Sequence, residues 1–296
     1  VATSEGRWYM ATYTNEWTNI TPGFGANPDV QLPGYTDGNI PITDSWNGTI
    51  LVINDSVNPP MYISPGSSGA TNEFYQYGNA PDNYTWNYNP DWSNLTAGWM
   101  HLYSTPNVGS ILIAGNLTST NNISSIVTNY PTTVRWSQAF GLNAGPTTWA
   151  PTNINVANEL EVPVRGPVID GFPLNGNFYV CSYWDTVVFS PIAYQSSTTP
   201  VFGIKLLNQG RGLINENCWA LVDNTVFGLD ARDIWQFDGG AFNPIGNQRV
   251  KDYFYTNLNP DYTNQVFMEH NSAKYQIEIY YPDLNSVGQC NKMIAY

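Results

Sequence analysis

Apolar positions along this chain come in short runs separated by Gly, Asn, Asp and Pro. Thr49-Ile50-Leu51-Val52-Ile53, Ser110-Ile111-Leu112-Ile113-Ala114, Phe178-Tyr179-Val180-Cys181-Ser182, Thr186-Val187-Val188-Phe189 and Tyr275-Gln276-Ile277-Glu278-Ile279-Tyr280-Tyr281 are rich in β-branched or aromatic residues. Such runs predict strands. Two-residue turns fall where hairpins need them, at Asn47-Gly48, Asn175-Gly176 and Asp238-Gly239. The end of the sequence, Lys292 to Tyr296, reads as a strand cut short.

A single segment has helical periodicity: Val250, Tyr253, Phe254 and Leu258 fall at i, i+3, i+4 and i+8. This predicts one short helix near 248–258, with Asn247 as its cap and Pro260 preventing its continuation. Between Asn217 and Gly239 the chain reads strand, turn, strand, turn, strand, which is most of a four-stranded blade. Units of this kind recur at intervals of roughly 40 to 65 residues, the range of propeller blades carrying insertions. A β-sandwich would not need the unit to recur so often. The fold class expected is therefore all-β, a β-propeller or propeller-like arrangement of short antiparallel sheets over 1–296 as one domain. Gly66 to Ala97 and Asn116 to Pro131, crowded with Asn, Ser, Thr and aromatic residues, are expected to be long loops.

Composition narrows the function. Only 11% of residues are charged, and the formal net charge is −13, with 10 Lys and Arg against 23 Asp and Glu. A basic groove that reads DNA is unlike this chain, whereas a wall past which nucleic acid slides without sticking is compatible with it. No apolar run approaches the roughly 18 residues of a membrane-spanning helix. The start at Val1, with no Met and no signal-peptide pattern, reads as part of a longer chain. Three widely spaced cysteines without a C-x-x-C predict buried thiols, not a disulfide framework or a zinc knuckle.

Catalytic chemistry has little to work with. His101 and His270 are the only imidazoles, and phosphate-binding loops and nucleophile elbows are absent from the sequence. No cofactor is expected, and the chain does not read as an enzyme. A glycosidase needs two carboxylates, which could come from Glu159, Glu161, Asp170, Asp185 and Glu278. Acids flanking strands are more often turn residues. Asp223, Asp230, Asp233 and Asp238 could in principle bind Ca²⁺, but they fit hairpin turns better. Trp86, Trp92 and Trp99 are candidate stacking platforms for sugars or single-stranded nucleic acid, with core or interface packing as the competing explanation.

The order of motifs resembles the tail nozzle (tail tubular protein B type) proteins of short-tailed bacteriophages. The likeness is carried by the aromatic segment Trp8 to Glu16, by Trp46-Asn47-Gly48 running into the strand to Asp55, by Leu112-Ile113-Ala114-Gly115-Asn116, and by Tyr130 to Ser137. It continues through Gly166 to Leu174, Arg211 to Cys218, Asp233 to Gly239, Arg249 to Phe254 and Asn264 to Phe267. The resemblance implies a propeller-like body assembled as a homo-oligomeric ring in the phage tail, conducting genomic DNA at ejection without reading its sequence. It also implies docking of adaptor and fibre proteins, and assembly into the virion in the host cytoplasm. A carbohydrate-binding or glycan-cleaving propeller, or a neck or vertex protein of a longer-tailed phage, are the alternatives. The positions that the motifs single out are Asn47, Gly48, Gly115, Arg135, Trp136, Gly171, Asn217, Asp233, Trp235, Gly239, Arg249 and Asp252, all expected to serve the fold and not a ligand.

Overall fold

The computed structural model describes residues 9–11, 17–19, 42–48, 50–63, 75–76, 90–106, 109–121, 124–192, 201–207 and 211–296. The chain is all-β, a succession of small antiparallel meanders of the kind that make propeller blades. It divides into two compact units: unit 1 comprises 1–130 and 134–160, and unit 2 comprises 131–133 and 161–296.

In unit 1, β1 (Tyr9–Ala11) pairs with β2 (Trp17–Asn19). Strands β3 (Thr43–Asn47), β4 (Ile50–Asn54), β5 (Met61–Ile63) and β6 (Tyr75–Gln76) then form one sheet in that order. A second sheet has the order β10-β9-β8-β7, from β7 (Leu95–Thr105), β8 (Gly109–Thr120), β9 (Val127–Trp136) and β10 (Asn158–Glu161). The sheets meet edge to edge through side chains. Thr43 Oγ1 accepts from the Met100 amide at 2.9 Å and Ser45 Oγ from that of Leu102 at 3.0 Å, so the outer edge of β7 is covered by hydroxyls of β3. Ile50, Val52, Met100, Leu112, Leu117 and the ring of Trp149 form the core beneath them.

One expectation is corrected here. Asn116 to Pro131 is not a long loop but the extension of a hairpin, with Leu117 to Thr120 paired to Tyr130 to Val127. Asn116 at φ 57° forms a bulge that the register crosses between Gly115 and Leu117, and beyond it polar residues lie on an exposed ladder where they need no core. The region expected as a loop at 66–97 lies mostly outside the described residues, and its last three residues already belong to β7.

Unit 2 contains β11 (Val168–Leu174), β12 (Asn177–Ser182), β13 (Thr186–Pro191) and β14 (Phe202–Leu206) as one sheet. The next is β15 (Trp219–Val222), β16 (Thr225–Leu229), β17 (Ile234–Phe237) and β18 (Phe242–Pro244), which completes the blade read from the sequence with its fourth strand. Helix α1 (Gln248–Asn257) follows, and the last sheet is β19 (Phe267–Asn271), β20 (Gln276–Tyr281) and β21 (Lys292–Ala295). Asn175 and Gly176 both have positive φ, 50° and 75°, as a tight hairpin matched to strand twist requires.

Aromatic side chains weld these sheets. Phe172 of β11 lies 5.5 Å from the Trp219 ring and 6.4 Å from that of Trp235, while Tyr179 meets Phe237 edge-on at 5.1 Å. The helix is capped by Asn247, whose side chain accepts from the Val250 amide, and it buries Phe254 against Tyr281 at 4.8 Å. Full burial of such a ring contributes about 2–3 kcal/mol.

Candidate functional site

Two neighbouring turns of unit 2 are built alike. Between β12 and β13 the Ser182 amide donates to the Asp185 carbonyl (2.8 Å) and the Asp185 amide to Ser182 Oγ (3.0 Å). Between β16 and β17, Asp230 takes the place of Ser182 and Asp233 that of Asp185: the Asp230 amide donates to the Asp233 carbonyl (3.0 Å) and the Asp233 amide to Asp230 Oδ1 (2.7 Å). Each turn is gripped by an arginine from the segment leading into its own sheet. Arg165 donates Nη2 to Asp185 Oδ1 at 2.7 Å and Nε to Oδ2 at 2.9 Å. Arg211 splits its fork, Nη1 to Asp230 at 3.0 Å and Nη2 to Asp233 at 3.1 Å, and Lys251 of α1 adds a contact to Asp233 at 3.4 Å.

Burial would lower the Arg211 pKa, but its bonds to the two carboxylates outweigh that and raise it. The Arg165 bonds hold Asp185 below the usual carboxylate range. Of the calcium candidates, Asp230 and Asp233 therefore hold cationic side chains of the protein itself, whereas Asp223 and Asp238 sit on exposed turns at the other end of the same meander. The Gly240 and Ala241 amides lower the Asp238 pKa, as an acid closing a turn requires.

The residues carried between the fixed corners of these turns face outward. Tyr183 is 39% and Trp184 42% exposed, and the guanidinium of Arg232 lies 5.7 Å from the Trp184 ring centroid. Arg232 and Trp184 occupy matching places in their two turns. Sequence reasoning passed over this cluster. The signal available was the repeated pair Arg165-Gly166 and Arg211-Gly212, each preceding its aspartate partner, by 20 positions in the first case and 22 in the second.

Four of the five candidate glycosidase acids accept hydrogen bonds from the protein itself, and the fifth, Glu159, is a half-exposed partner of an arginine. Asp170 is fully buried and accepts from the Gly171 amide (2.8 Å), the Asn217 amide (3.0 Å) and Trp219 Nε1 (2.8 Å), which ties β11 to the start of β15. Glu278 accepts from the Tyr280 hydroxyl (2.5 Å), Gln276 (2.6 Å) and Asn271 (2.9 Å). These donors, Tyr280 foremost, lower its pKa to about 2. Asp185 holds Arg165, Glu159 lies 3.7 Å from Arg135, and Glu161 accepts from the Thr132 hydroxyl at 3.0 Å. The unusual acid is one not singled out beforehand. Burial lifts the Glu216 carboxyl to about 7, and the charge of Asp170 pushes the same way.

The motif positions fall in separate places. Asn47 is buried and donates to the carbonyls of Gly141 (2.9 Å) and Ala144 (2.8 Å), and Gly48, at φ 64°, turns the hairpin against that same loop. Gly115 lies under the Trp99 ring and Gly171 under the Phe178 ring. Arg135 lies against the Trp92–Trp149 ring pair, 5.4 and 6.0 Å from the two centroids, and donates to the Asp91 carbonyl at 2.6 Å; burial lowers its pKa. Trp136 donates to the Val156 carbonyl at 2.7 Å. Asn217, at φ 59°, links Asp170 to β19 through the Met268 amide. Trp235 is fully buried, Gly239 is a turn residue at φ 98°, and only Asp233 belongs to the clamp described above. Arg249 and Asp252 are exposed on α1, Asp252 accepting from Gln248 at 2.7 Å. Of the candidate platforms, Trp92 and Trp99 are core residues, and Trp86 lies outside the described residues.

Cys181 and Cys218 are buried free thiols and Cys290 is half-buried; burial pushes Cys181 up to about 12 and Cys290 to about 11. Among the described residues no cluster of His, Cys, Asp and Glu is arranged to hold a metal, and no helix is long and apolar enough to cross a membrane. A pocket of about 270 Å³ in unit 1 has Val57, Pro59 and Leu95 on its apolar side and Asn58, Asn94 and Thr96 among its polar groups, with no ionisable side chain in its lining. Comparison with models of known families gives no match to this chain, and comparison with curated proteins gives none either.

Proposed function

We propose that this chain is a structural component of a bacteriophage virion, a tail nozzle or tail-tube protein that forms a ring, conducts DNA during ejection and docks adaptor and fibre proteins. The observation that carries the reading is the use made of charge. Of the acids that could have served a glycosidase, Asp170, Asp185, Glu161 and Glu278 accept hydrogen bonds from an arginine, an amide, a hydroxyl or an indole of the protein itself, and Glu159 lies 3.7 Å from Arg135. Such groups act as struts. The surface instead offers uncharged side chains on hydrogen-bonded turns, such as Trp184, Ile154 and Tyr275, which suits assembly more than turnover. The order of motifs described above supplies the particular assembly, and a net charge of −13 suits a conduit to which phosphates do not adhere.

The test is electron microscopy of phage particles labelled with an antibody raised against this chain. The reading expects label in a symmetric collar at the distal tail. Label at the head vertex, or particles without label, would reject the nozzle assignment.

A further inference from the structure

We propose that the β12–β13 and β16–β17 turns of unit 2 form one half of a subunit contact whose other half is the outward face of β3 in unit 1 of a second copy of this chain. The inference rests on the ring reading and adds its contact residues. Tyr183, Trp184 and Arg232 are the residue types that dominate binding energy in protein interfaces; Tyr183 and Trp184 are exposed chain neighbours in the first turn, and the Arg232 guanidinium of the second lies over the Trp184 ring. The cluster is pre-organised. Ser182 and Asp230 fix the two turns, the Arg165 fork locks the first and the Arg211 fork locks the second, so little conformational freedom is lost on docking.

Charge selects the partner. Of the chain's 10 basic residues only Arg7 and Arg135 fall in unit 1, and Arg135 is buried. On β3 the inward residues Thr43 and Ser45 are engaged with β7, while Asp44 and Trp46 alternate to the outside, Trp46 being 51% exposed. A carboxylate and an indole two residues apart on a strand match a guanidinium stacked on an indole: Asp44 meets Arg232, and Trp46 lies against Trp184. The two halves are different surfaces, so the contact is head-to-tail, the kind from which closed rings are built.

Sedimentation velocity of the full chain over a range of concentrations, at low and high salt, tests this. Arg232→Glu, Trp184→Ala and Asp44→Arg should each weaken association about tenfold or more. Arg232→Glu combined with Asp44→Arg should restore much of the loss, while Trp184→Phe should lose less than Trp184→Ala. Circular dichroism and melting of each variant separate lost docking from lost folding. A ring that forms equally well in all three single variants, or a double variant no better than the singles, overturns the contact and leaves the ring reading standing. An unmodified chain that stays monomeric at every concentration overturns both. Trp184→Ala that abolishes binding of a single-stranded oligonucleotide while leaving assembly intact would assign the cluster to nucleic acid and overturn the contact as well.

Discussion

Trp235 lies against Gly228, its direct partner across β16 and β17, so closely that a Cβ on the glycine would fall 2.2 Å from the ring. Gly115 has the same relation to Trp99, its partner across β7 and β8, with 2.4 Å to the ring. Each glycine is a socket into which a fully buried indole is set. Gly228→Ala and Gly115→Ala should each destabilise by about 1–3 kcal/mol, because a rigid ring in a packed core cannot withdraw. Gly141→Ala, where nothing lies within 4 Å, should change stability by less than about 0.5 kcal/mol. Urea unfolding of the three variants checks the order.

Arg165 and Arg211 make similar bonds in unlike surroundings. The Arg211 side chain is 19% exposed and its partners are buried, so Arg211→Met leaves Asp230 without its cation and Asp233 with Lys251 alone, and should cost about 3–5 kcal/mol. Arg165 is 71% exposed, and Arg165→Met should cost no more than about 1 kcal/mol. Chemical denaturation followed by tryptophan fluorescence distinguishes them.

Glu216 makes stability depend on pH in an uncommon direction. Its folded pKa, about 7, is raised above the ordinary 4.5, so the folded state keeps a proton that the unfolded chain releases between those values. The contribution is full below pH 4.5 and is lost as the pH climbs through 7. Glu216→Gln should remove this slope and leave the variant about 1–3 kcal/mol more stable than the unmodified protein at pH 8, relative to their difference at pH 4. Denaturation midpoints of both proteins across that range give the answer, and parallel curves would refute it.

The thiols should be nearly silent in the folded protein. Burial raises Cys181 and Cys218, so at pH 8 a thiol reagent should modify Cys290 alone, and slowly, whereas all three react after denaturation. A colorimetric thiol count, native and denatured, measures this.

The strands and the helix were legible because local chemistry decides them. Asn47-Gly48 and Asn175-Gly176 turn the chain, and Asn247 starts α1 where the spacing of Val250 and Phe254 asks for a helix. Between 116 and 131 composition points the other way, yet Thr118 pairs with Asn129 and their side chains bond at 3.1 Å, an exposed ladder that hydrophobic periodicity cannot reveal. The clamps were not legible for another reason. Asp233 looks like any turn acid until the segment leading into its sheet brings Arg211, 22 positions earlier, beside it, a proximity that local sequence does not encode. Glu216 was missed likewise, since only burial next to Asp170 distinguishes it from a solvated glutamate.

The join between β3 and β7 behaves as a key cut to one lock. Sliding β3 by a single residue would swap its hydroxyls for Asp44 and Trp46 opposite the Met100 and Leu102 amides, and neither could fill those places without dragging a charge or an indole into the core. A foreign strand seeking that border meets alcohols already bonded instead of bare amides. Growth by adding ribbon to ribbon, the route to fibrils, is closed along this border.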